Sequence, residues 1–145
     1  ESSEQAQIAA NYCQGNIGKA IRFASSSDFI EMKNQVLKLL KNLDSMDIAS
    51  IIDTIKEFST HKNDINDYLD LMLLWYRDVL MFKVTKDANL LLYSDEYSAI
   101  SEQATKRDYE NIENIIAAID KAKVRLKANV NFDVTIELMI LAMKD

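Results

Sequence analysis

A chain of 145 residues is long enough to bury one hydrophobic core unaided, and with no proline and only Gly15 and Gly18 it lacks the turn formers of an all-β fold. Its 23 acidic and 17 basic residues give a formal charge of −6, which argues against a domain that holds nucleic acid mainly by neutralising phosphates. Cys13 is the only cysteine, so no internal disulfide forms, and with no signal-peptide pattern the sequence reads as a protein of the reducing cytoplasm.

Residues 4–14 form a short helical pattern around Ile8 and the alanines, and Gly15 stands where a left-handed C-terminal cap would sit. Asn16 caps a second short helix through Ile17, Ala20, Ile21 and Ala24, which a serine run ends. Residues 1–27 therefore read as a helical hairpin set apart from 28–145. The start at Glu1, without a methionine, points to a piece of something longer.

Asp28 is the expected N-cap of a helix whose Phe29, Met32, Val36, Leu40 and Leu43 recur at steps of three and four on one face. Ser45 or Asp47 restarts the pattern, with Ile48, Ile51, Ile52, Ile55 and Phe58 as its apolar face and Asp53, Lys56 and Glu57 turned away. The polar run 60–64 is a loop that holds an exposed His61. Residues 65–84 are apolar almost all round, which predicts a central helix covered on several sides. Within it the richest apolar stretch, 69–84, is too short to span a membrane, and Asp70, Arg77, Asp78 and Lys83 interrupt it.

A polar connection, 86–89, and a short apolar segment, 90–93, lead to a helix over 96–106 capped by Ser94 or Asp95. Asp108 opens an amphipathic helix that buries Ile112, Ile115, Ile116, Ile119, Ala122 and Leu126, with acids early and bases late as the helix dipole favours. Asn129 or Asn131 ends it and caps a last helix, 132–144, rich in Val134, Ile136, Leu138, Met139, Ile140, Leu141 and Met143. The expected fold is an all-α bundle of five to six helices.

Reactive groups are sparse. His61 has no cysteine or histidine neighbour of the kind a zinc site requires, and Gly15-Asn16-Ile17-Gly18-Lys19 lacks the spacing of a phosphate loop. Asp64, Asp67 and Asp70 share neighbouring helical positions but read as solvated charge. Lys121, Lys123, Arg125 and Lys127 alternate around their helix instead of forming one basic stripe, so the helix dipole explains them better than a nucleic-acid contact does. No catalytic, metal-binding or cofactor-binding residue is expected. Trp75 and Tyr76 read as core, and the alternative is that they line a small-molecule pocket of a helical regulator.

Asp70-Leu71-Met72-Leu73-Leu74-Trp75-Tyr76-Arg77-Asp78-Val79-Leu80 resembles the apolar helix with an aromatic-aromatic-Arg-Asp signature of delta-prime subunits of bacterial DNA polymerase III clamp loaders. Asn129-Val130-Asn131-Phe132-Asp133-Val134-Thr135-Ile136-Glu137-Leu138-Met139 resembles that family's asparagine-rich turn and closing helix. Gly15 to Ile21 is similar to the start of the last lid-domain helix of AAA+ clamp-loader subunits. There Gly18 stands where ATP-binding relatives carry a nucleotide-sensing arginine, a departure that favours delta-prime over the equivalent region of gamma/tau.

The resemblance implies that 1–27 end the lid domain and that 28–145 form the collar, with the AAA+ module before Glu1. Such a collar packs against those of gamma/tau and delta, and so supports ATP-dependent loading of the sliding clamp onto primed DNA in replication. It implies no direct nucleic-acid contact, no membrane and no catalysis by this region. Trp75, Tyr76, Arg77, Asp78, Asn129, Asn131 and Glu137 are the motif positions, in the core or at a subunit interface.

Overall fold

The computed structural model describes residues 27–144, with side chains from residue 29 onward. The hairpin expected before residue 27, with Cys13 and Gly18, lies outside the described residues, as does the Asp28 side chain. Six α-helices joined by short 3₁₀ turns make up the described chain, which contains no strand.

Helix α1 (Ser27–Asn42) turns Phe29, Met32, Val36 and Leu40 inward, and Leu43 follows them from the 3₁₀ turn Leu43–Ser45; all five are buried, as their spacing requires. Helix α2 (Ile48–Ser59) starts at Asp47, whose Oδ1 accepts the Ser50 N–H at 2.8 Å. Of its five expected inward residues, Ile51, Ile55 and Phe58 are buried. Ile48 and Ile52 are exposed, because one helix face covers only about three positions in seven.

A 3₁₀ turn, Lys62–Asp64, leads into α3 (Ile65–Thr85). His61 is half-buried, not exposed: its ring lies 5.7 Å from that of Tyr68, which also meets Phe58 at 5.2 Å. Helix α3 buries ten residues around its circumference and packs against α1, α4 and α5, the central position expected of it. It stops at Lys86, whose backbone is left-handed (φ 59°) and whose N–H donates to the Phe82 carbonyl.

The connection 87–96 carries two 3₁₀ turns and buries Leu91, Leu92 and Tyr93. Helix α4 (Tyr97–Lys106) grows out of the second turn, Ser94–Glu96. The cap expected from Ser94 or Asp95 is displaced to Glu96, which makes no side-chain cap bond, since the preceding turn already sets the entry angle. Helix α5 (Tyr109–Lys127) is capped by Asp108, which accepts the Asn111 N–H at 2.7 Å. Ile112, Ile115, Ile119 and Ala122 are fully buried, whereas Ile116 and Leu126 lie at the edge of the core.

The turn to α6 (Phe132–Lys144) uses both asparagines. Asn129 takes a left-handed backbone (φ 62°), its N–H donates to Leu126 and that of Val130 donates to Arg125, the paired bonds of a Schellman motif. Asn131 Oδ1 then accepts the Val134 N–H at 3.0 Å and caps α6. Helix α6 lies antiparallel to α5 and also packs against α2.

Candidate interaction surface

The aromatic-aromatic-Arg-Asp signature is a packing device. Trp75, Tyr76 and Asp78 are fully buried on α3. Trp75 Nε1 donates to Gln103 Oε1 at 3.2 Å, and Gln103 Nε2 donates to the Leu40 carbonyl at 3.2 Å, so one amide ties α3 to α4 and α1. The Trp75 indole meets Tyr93 edge-on at 5.5 Å, and the Tyr93 hydroxyl donates to the Leu71 carbonyl.

Asp78 holds the 91–93 segment against the core. Its carboxylate accepts the Leu92 N–H at 3.0 Å and the Tyr93 N–H at 2.8 Å, and the Arg77 guanidinium, on an exposed side chain, lies 3.6 Å away. Burying a carboxylate is costly unless such donors surround it, and these two orient a connection that has no ladder of its own. Sequence reasoning placed Asp78 only as a motif position. A lone acid inside an otherwise apolar helix face was the signal that it anchors backbone.

The Tyr76 hydroxyl is buried and makes no hydrogen bond; desolvation raises its pKa, with the Arg107 cation opposing that shift and Asp44 adding to it. Arg107, itself buried, donates from Nη1 to Asn111 Oδ1 at 2.6 Å and from Nη2 to Asp44 Oδ1 at 3.2 Å, and Lys106 pairs with the same Asp44. This cluster latches the start of α5 to the turn after α1. Asp67, half-buried on α3, has its pKa raised first by desolvation and then by Asp70. Asp70 is paired with Lys123.

These contacts disperse the basic cluster of α5. Lys123 is engaged by Asp70, Arg125 is half-buried, and Lys121 and Lys127 are exposed. Among the described residues no three His, Cys, Asp or Glu side chains gather as a metal site would require. No described helix is long and apolar enough to cross a membrane. The best-formed groove, about 260 Å³ between α1 and α2, is lined by Gln35, Lys38, Leu39, Met46 and Phe58. Shallower and more open depressions of about 360, 430 and 460 Å³ lie elsewhere on the surface, and neither Trp75 nor Tyr76 lines any of the four.

What remains open is apolar surface. On α6, Ile136, Met139, Ile140 and Met143 face the core, and Val134, Leu138 and Leu141 form a second row on the opposite side, 51%, 46% and 46% exposed. Their spacing of four and three makes one stripe. Glu137, the last motif residue, is exposed beside that row, while Asn129 and Asn131 shape the turn that aims α6. Of the seven motif positions in the described chain, only Arg77 and Glu137 present charge to solvent.

The chain is 29% identical over 147 aligned positions to DNA polymerase III subunit delta' of Bacillus subtilis. The similarity takes in 99% of this chain and 44% of that protein, so the chain spans under half its relative's length. The resemblance read from the Trp75 and Asn129 segments is thereby borne out. No family model matches the chain, and no solved structure matches it significantly.

Proposed function

We propose that this chain is a non-catalytic assembly domain of a bacterial clamp loader, the collar region of a delta-prime-type subunit, which packs against the collars of gamma/tau and delta. In that role its mechanism is positional. A rigid bundle holds neighbouring ATP-using modules in register while they load the sliding clamp onto primed DNA for replication.

The observation that carries the reading is the exposed row Val134, Leu138 and Leu141 on a helix whose other face is already satisfied by the core. An isolated bundle gains nothing from three large aliphatic side chains in water, whereas each contributes roughly 1.5–3 kcal/mol when a partner covers it. The similarity to subunit delta' supports the identity of the assembly, and the capped, Schellman-closed turn before α6 supports a rigid presentation of the row.

The test is co-purification of this chain with purified gamma/tau and delta subunits. A complex burying about 1,200–2,000 Å² is expected, stable through gel filtration. Elution of the chain always apart from those subunits would sink the proposal.

A further inference from the structure

We draw no further inference here: the strongest candidate, the cluster of Lys106, Arg107 and Lys144 in the depression beside the start of α5, carries no anion site, because Asp44 and Asp108 line the same depression and Asp44 already pairs with both Lys106 and Arg107.

Discussion

Trp75 and Tyr76 are adjacent, aromatic and fully buried, yet the structure predicts opposite outcomes for truncating them. Trp75→Ala removes the largest core side chain and the bond to Gln103, and should lower stability by about 3–5 kcal/mol in denaturant titration. Tyr76→Phe deletes only a buried hydroxyl that makes no hydrogen bond, so the melting temperature should hold or rise. Asp78→Ala should cost about 3 kcal/mol or more, because two buried N–H groups lose their acceptor at roughly 1–3 kcal/mol each. Asp78→Asn, which keeps one acceptor oxygen, should fall between.

Asp67 gives the pH dependence. Its folded pKa is raised above the unfolded value, so the ionised form is penalised in the folded state. That penalty is fully present above the folded pKa and disappears as pH falls below the unfolded one, near 3.8. Asp67→Asn should therefore raise the melting temperature at pH 7 and leave it unchanged near pH 3; an equal gain at both pH values would contradict the assignment.

Among the helices, starts and stops follow local chemistry closely. Asp47, Asp108 and Asn131 each present an oxygen to a backbone N–H three residues on, as their positions before apolar periods announce. Asp108→Ala should cost about 0.5–2 kcal/mol through the opening turn of α5. Asn129 holds a left-handed backbone, so Asn129→Gly should be neutral or stabilising and Asn129→Ala should cost roughly 1 kcal/mol. Helix α4 departs from the pattern, since Ser94 and Asp95 are absorbed into a 3₁₀ turn and the helix begins after Glu96. The length of that turn depends on how Asp78 ties down Leu92 and Tyr93, a contact fourteen and fifteen residues distant.

For the whole molecule, α3 is the axis, with α1, α4 and α5 around it and α6 bridging α5 to α2. Among the described residues this arrangement leaves the outer row of α6, Val134, Leu138 and Leu141, without a covering element, and the assembly function is proposed there. Val134→Ser and Leu138→Ser should leave thermal stability within about 0.5 kcal/mol of the parent while weakening the complex with gamma/tau and delta. A fall in melting temperature as large as that of a core substitution would instead make the row part of the fold.

Periodicity of three and four, capping residues and a scarcity of turn formers determined the all-α class, the helix order and most inward residues from sequence alone, because these depend on neighbours within one or two turns. The segments around Trp75 and Asn129 carried the likeness to subunit delta'. Only the tertiary structure decided which apolar residues exceeded the core's need. Ile48, Ile52, Val134, Leu138 and Leu141 have the same hydrophobicity as their buried neighbours, and nothing local separates them. Whether each is covered depends on which elements pack beside α2 and α6, and those contacts join residues far apart in the chain.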